Sequence, residues 1–440
     1  MAHALRLPQP TDNWARALLA PFLIFVATAT DRNYQTDLWH HLARGRAIVA
    51  EGRLLDDDRF TYTIPGRHFQ DCNWGWQVLT YRVYELGGLP LVQVVNSLLL
   101  AAAMGVLVAL ARRRSGSLLV ASAVCVFAFF GLWQLLLIRP QTFSLLLFVL
   151  LYAALEGSQR NRLWLLAAPL LLALWVNSHG GFPVGLILVG CYTLAAAAEG
   201  GLAAHAEGRR PLPAALARSW PWALCLAASV AATCANPYGW RVYQYVLLTA
   251  STASSRRIDE WLPPGLNLLV GKVWVVSLLA LLVLLARSGR RPAWREVVLV
   301  CCFLPLACGS VRMVAWWLLV SAPILAAQVV AAWPKVVEVD AAGRQPTRGA
   351  AVACGTLLFA AVLSLPWLER VNPVLLLPGR AHRVESDLQV VSEQLAARDD
   401  TRRVFTRFEW GEYLGWGLAP RHTVFMDGRI EIFPDEVWAR

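Results

Sequence analysis

The sequence predicts an all-α polytopic membrane protein of about eleven transmembrane helices, followed by a small α/β segment outside the bilayer. Three observations carry that expectation. Of 440 residues, 57% are hydrophobic and 16% charged, with a mean hydropathy of +0.48, too apolar for a soluble chain of this size. The apolar residues come in long runs instead of one-faced stripes. Between those runs, lysine and arginine cluster at every second turn.

In chain order the spans are expected at 15–30, 89–111, 117–138, 141–156, 163–177 and 182–198, then 220–235, 266–286, 296–311, 313–333 and 350–367. Several fall short of the ~20 residues a bilayer requires, which calls for broken, tilted or closely paired helices. The basic clusters are "ARRRSG" (111–116), "SQRNR" (158–162), "EGRRP" (207–211) and "ARSGRRPAWRE" (286–296), joined by Lys335, Arg344 and Arg348. Placing them together in the cytoplasm puts the N-terminus inside and the C-terminus outside, as an odd number of spans requires. The loop 31–88 carries seven arginines on the expected outer side, but long loops cross largely regardless of charge. "FVATATD" (25–31) looks like a signal-peptide cleavage site, yet removing the first helix would spoil the alternation, so it is read as retained. The net charge of +11 reflects the inside bias and attraction to anionic membrane lipid. Scattered through short loops, it excludes nucleic acid as a partner.

Two divisions follow: residues 1–367 as the transmembrane domain, including outer loop 31–88, and 368–440 as the outer tail. Within the loop, a helix is expected from Thr36 to Gly52, then a turn-rich stretch (56–69) and a second helix through 74–88. In the tail, 384–398 has helical spacing, 402–410 and 422–429 read as strands, and "GEYLGWG" bridges them. Cysteine is uninformative: of nine, only Cys72 clearly sits in an outer segment, and no CxxC pair or zinc spacing occurs. Walker, GxGxxG and GxSxG motifs are absent from the sequence.

Polar residues gather at the outer turns: Asp31, Asp37, His40, His41 and Asp71 in the first loop, then Arg139 in "LIRPQTF" and Asn177 with His179 in "WVNSHGGF". Asn236, Asp259 and Glu260 follow, and Arg312 in "GSVRMVAW" completes the set. Successive outer turns of this kind point to a shared cavity. Each residue also has a plainer reading: arginines snorkel to headgroups, Asn177 and His179 cap helices, and Asp56, Asp57 and Asp58 form a solvated turn. His3, His205 and His382 are read as surface residues. In "QTDLWHHL" (35–42), Leu38, Leu42 and Val49 share one face of an interfacial helix, with Trp39 at headgroup depth. Asp37 and His41, four apart, project together from the other face, unless Thr36 or Asp37 is simply a cap.

These motifs resemble the GT-C glycosyltransferases, which use sugars linked to polyprenyl phosphate and include protein mannosyltransferases, aminoarabinose transferases and oligosaccharyltransferases. More closely, the chain is similar to a mostly uncharacterised bacterial branch with "DxWWHLxxG…G…P..D.FSYT" after the first span. The matching positions are Asp37, Trp39, His41, Leu42, Gly45, Gly52, Asp58, Phe60, Tyr62 and Thr63. His40 replaces the usual second tryptophan, and Leu54 or Leu55 the expected proline. "RPQTF", "WVNSHGGF", "ANPYGW" and "WGEYLGW…VFMDGR" extend the resemblance over nearly the whole chain.

The resemblance implies an inverting transferase in a bacterial inner membrane. It would move a sugar from a polyprenyl-phosphate donor to an extracytoplasmic glycan, lipid or protein acceptor. Such chemistry needs one carboxylate to deprotonate the acceptor and cations for the departing phosphate. Asp37 is the candidate base, with Asp71 second. Arg139, ahead of Arg312, is the candidate phosphate ligand. Asn177 and His179 would bind sugar or phosphate oxygens, with His41 beside Asp37 on the substrate side. A divalent metal between Asp37, His41 and Asp71 fits those residue types, but nothing in the spacing assigns it. Two other classes remain open: a secondary transporter, whose polar residues would lie near the midplane, and a non-catalytic scaffold or sensor built on the same body.

Overall fold

The computed structural model describes residues 11–31, 36–343, 345–372 and 383–438; His3, His382 and Arg344 lie outside them. The first helices are α1 (Asp12–Thr30), α2 (Thr36–Glu51), α3 (Trp74–Ser115), α4 (Leu118–Leu132) and α5 (Pro140–Gly157). They are followed by α6 (Ala167–Val176), α7 (Pro183–Ala206), α8 (Pro211–Thr233), α9 (Arg241–Ser255), α10 (Leu269–Arg287), α11 (Trp294–Gly309) and α12 (Val311–Ala332). The chain closes with α13 (Val336–Ala342), α14 (Arg348–Leu363), α15 (Arg383–Ala396), α16 (Phe408–Leu418) and α17 (Asp435–Trp438). Two strands, β1 (Arg403–Val404) and β2 (Thr423–Val424), lie on either side of α16.

Every predicted span is helical. Seven helices among the described residues are long and apolar enough to cross a membrane by themselves: α1, α3, α4 with the turn after it, α5, α7, α10 and α12. The polypeptide is thus an all-helical polytopic membrane protein. Two elements differ in kind from expectation. The helix 74–88 and the span 89–111 are one element, α3, kinked where Gly88 adopts φ +64° just before Pro90. Helix α9 was not foreseen, because "RVYQYVLLTASTASS" is half polar and lacks an unbroken apolar run.

The contacts define two compact units. The first comprises residues 1–30, 97–136 and 263–375. Its centre is α12, buried along most of its length and packed on α4, α10 and α11. The buried Trp317 indole donates to Ser277 Oγ at 2.8 Å, so the core leaves that N–H satisfied. Buried Glu296 accepts from Arg114 at 3.0 Å and from Arg290 at 2.9 Å, which compensates a carboxylate that could not be buried alone. Arg312 sits in the first turn of α12, after Ser310.

The second unit comprises residues 31–96, 137–262 and 376–440. Here α5, α6, α7 and α8 pack together, while α2 lies against α16. Gly45 lets α2 cross α3 closely, since a Cβ there would come within 2.7 Å of Tyr81 Cβ and collide with the Gln77 carbonyl. The tail is less β-rich than expected. Its parallel strands are two residues each, and Phe408–Leu418, expected as a strand end and a bridge, is helix α16. Residues 60–62 extend the ladder, with the Tyr62 N–H donating to Val424 O and the Val424 N–H to Phe60 O, at 3.0 and 2.9 Å.

Candidate functional site

All the site residues foreseen in the sequence except Arg312 fall in the second unit. Asp37 lies in the first turn of α2. Arg139 immediately precedes Pro140, the first residue of α5, and proline holds its predecessor extended (φ −141°, ψ 161°). The guanidinium leaves the helix end and reaches two carboxylates: Nε lies 2.9 Å from Asp37 Oδ2, and Nη1 donates to Glu260 Oε1 at 2.6 Å. Glu260 belongs to the short turn Asp259–Trp261. This trio carries one positive and two negative charges. Burial would lower the pKa of Arg139, but Asp37 and Glu260 outweigh it and raise it, so the cation is permanent.

Asp71 is held differently. Its side chain is 4% exposed against 32% for Asp37, which decides between them as the carboxylate a substrate can reach. Arg44 Nη2 lies 2.8 Å from Asp71 Oδ2, while Oδ1 accepts from the Asn73 N–H and Gln77 Nε2 at 3.0 and 3.1 Å. Its own N–H donates to the Tyr238 hydroxyl at 2.8 Å. Asp71 is thus packed between Arg44, Asn73 and Gln77.

The two histidines of α2 are held differently. His41 is buried and its Nδ1 accepts from Gln77 Nε2 at 3.3 Å. Burial, together with the charges of His40 and Arg44, holds it neutral, well below the usual imidazole range. It is therefore no solvent-facing partner for Asp37. His40 instead donates from Nδ1 to Glu412 Oε1, 3.0 Å away on α16. Trp39, expected at headgroup depth, is buried edge-on against Tyr413, with ring centroids 4.8 Å apart. Asp58, expected in a solvated turn, is buried and ion-paired with Arg429.

Asn177 ends α6 and spends its amide inside the fold. Nδ2 donates to Ala173 O and Ala235 O, both at 2.8 Å, and Oδ1 accepts from Trp74 Nε1 at 3.1 Å. His179 Nδ1 accepts from Ser144 Oγ at 2.7 Å, and Ser144 Oγ accepts in turn from Trp175 Nε1. Asn236 ties its turn through Thr233 O, Gly239 O and the Tyr238 N–H. The helix-capping reading thus describes Asn177, which donates to Ala173 O at the end of α6. Among the described residues, no three His, Cys, Asp or Glu side chains converge as a metal site.

Glu260, His40, Glu412, Asp427 and Arg429 were not foreseen as site residues. Glu260 was visible as a polar outer-turn residue and His40 as a departure from the family motif. The other three stand inside "WGEYLGW" and "VFMDGR".

No family model matches the sequence, and no curated protein sequence matches it. Solved structures do. The oligosaccharyltransferase of Archaeoglobus fulgidus in its apo form superposes with a TM-score of 0.54 at 12% identity over 94% of this chain and 64% of its own length. The same enzyme in complex with an inhibitory peptide and a dolichol-phosphate gives 0.53 at 13% identity. ArnT from Cupriavidus metallidurans bound to undecaprenyl phosphate gives 0.51 at 16% identity, over 94% of this chain and 85% of that one. The chain thus spans about two thirds of the archaeal enzyme, and the likeness at these identities is one of fold. Over nearly all its length, this protein shares its fold with the archaeal oligosaccharyltransferase and with ArnT.

Proposed function

We propose that the protein is an inverting membrane glycosyltransferase that moves a sugar from a polyprenyl-phosphate donor to an acceptor hydroxyl, with Asp37 as the base. The observation that carries this reading is Asp37 itself: a half-exposed carboxylate held at the start of α2 by a fixed cation. In the reaction, the acceptor oxygen attacks the anomeric carbon, its proton passes to Asp37, and the bond to the phosphate breaks as the polyprenyl phosphate leaves. Arg139 orients the base, and its guanidinium stabilises the leaving phosphate once that phosphate displaces Glu260 from Nη1. The solved neighbours bound to dolichol-phosphate and undecaprenyl phosphate support a lipid-phosphate donor.

The test is direct. Purified protein supplied with polyprenyl-phosphate-linked sugars and membrane-extracted acceptors should form a glycosylated product and release polyprenyl phosphate; absence of both overturns the reading. Arg139→Ala should weaken polyprenyl-phosphate binding by about 10- to 100-fold, and Arg139→Lys by less, because only the guanidinium offers a forked donor pair. Parent-like binding by both variants would place the phosphate elsewhere.

The outer face is the proposed location of residues 31–88 and 368–440, supported by the basic clusters at alternate turns. A reporter active only outside the cytoplasm, fused after Pro366, should give signal, and a cytoplasm-active one should not. The reverse pattern would invert the topology.

A further inference from the structure

We propose that Glu412 is the positioning residue for Asp37: from the tail helix it grips His40, one turn along α2, and so fixes the helix end that presents the base. This rests on the glycosyltransferase reading for its consequence, though not for its geometry. Glu412 is fully buried, with Oε1 3.0 Å from His40 Nδ1. The seat for this one carboxylate is elaborate. A Cβ at Gly428 would run into the Glu412 carboxylate, and a Cβ at Gly411 would run into the Met426 carbonyl on which α16 lies. Both glycines belong to the two tail motifs singled out in the sequence: Gly428 leaves room for the carboxylate, and Gly411 for the close approach of α16 to the Met426 carbonyl.

Neighbouring contacts hold the same two helices together without any carboxylate. Trp39 meets Tyr413, and Arg46 donates to Trp416 O at 2.7 Å while its guanidinium lies 4.2 Å over the Trp416 ring. Burying a carboxylate is costly, and an apolar residue would serve adhesion better. Glu412 is therefore explained by what His40 requires. Its second oxygen, Oε2, has no hydrogen-bond partner among the described residues, and Glu412 lines a small cavity with Arg44, Phe60, Asp427 and Arg429.

The charges around the pair agree with that role. Burial pushes Glu412 up to about 7, against the pull of His40 and with the help of Asp37's charge. Burial would lower His40, but the charge and hydrogen bond of Glu412, and then the charge of Asp37, raise it. Arg44 on α2, Asp427 and Arg429 in the tail and Arg139 before α5 complete the charged surroundings. The pair titrates as a unit within the electrostatic reach of Asp37.

The experiment uses the full chain in lipid nanodiscs, comparing the parent with Glu412→Ala and Glu412→Gln. Amide hydrogen exchange across residues 36–41 should rise about 10-fold in Glu412→Ala while α5 stays unchanged. Turnover should fall about 10-fold with the donor KM unchanged. Glu412→Gln can still hydrogen-bond His40, so it should restore the exchange and most of the turnover. Its pH–rate profile should nevertheless lose the near-neutral ionisation of the pair. Parent-like exchange at 36–41 in Glu412→Ala overturns the proposal, as does a glutamine variant no better than alanine. If α2 loosens in Glu412→Ala but even the parent transfers no sugar, the positioning stands and the glycosyltransferase reading fails.

Discussion

Asp37→Asn should lower the turnover of sugar transfer by about 10²- to 10⁴-fold while leaving membrane insertion and folding intact. The amide has the size of the carboxylate, so its oxygen can still lie against the Arg139 guanidinium, whose Nε is 2.9 Å from Asp37 Oδ2 in the parent. The first turn of a helix tolerates asparagine as well as aspartate. What disappears is the ability to take the acceptor's proton. Asp71→Asn should behave in the opposite way. Its carboxylate is buried against Arg44, so the substitution strands a buried cation and costs stability before it costs chemistry. Asp31→Asn should change little. Product formation by the parent and the three variants, with thermal unfolding in parallel, separates these outcomes. Full activity in Asp37→Asn would remove it as the base.

The spans were legible because hydropathy acts locally: a run such as 269–287 must be buried or in lipid whatever the rest of the chain does. Asp37 and Arg139 were legible for a related reason, since a carboxylate after the first span and a cation fixed by the following proline are both local facts. The pairing of residues far apart in sequence was not. Helical spacing joined Asp37 to His41, but the tail decides which histidine is engaged, and it lies some 370 residues further on. The same distance hid Asp58, which reads as a solvated turn until Arg429 is brought to it. Helix α16 was missed because Gly411, Gly415 and Gly417 lower helix propensity in "FEWGEYLGWGL". Tertiary packing overrides that cost, and Gly411 is required where the helix meets the Met426 carbonyl.

Arg429→Met should produce the largest loss of stability in the second unit, about 3–5 kcal/mol, because it leaves two buried carboxylates without their cation. Arg429 Nε lies 2.9 Å from both oxygens of Asp427, and Nη2 reaches Asp427 Oδ2 at 2.5 Å and Asp58 as well. Asp58 is further held by the Thr61 N–H at 3.0 Å and hydroxyl at 2.6 Å. Through this one guanidinium, "DDDRF" in the first loop is tied to "MDGR" in the tail. Burial alone would raise Asp427, but the charge and hydrogen bonds of Arg429 outweigh it and hold the carboxyl below its usual range. That depression has a sign. Its stabilisation is complete above the unfolded-state value of about 4 and is lost as pH falls through the lower, folded value. In Arg429→Met the stranded carboxylates gain by taking up protons, so the deficit against the parent should shrink between pH 7 and pH 5. Combining Arg429→Met with Asp58→Asn and Asp427→Asn should recover part of the loss by removing the uncompensated charge. Thermal unfolding at both pH values, with limited proteolysis between residues 403 and 438, gives the comparison. If Arg429→Met melts with the parent at pH 7, this network does not hold the loop to the tail.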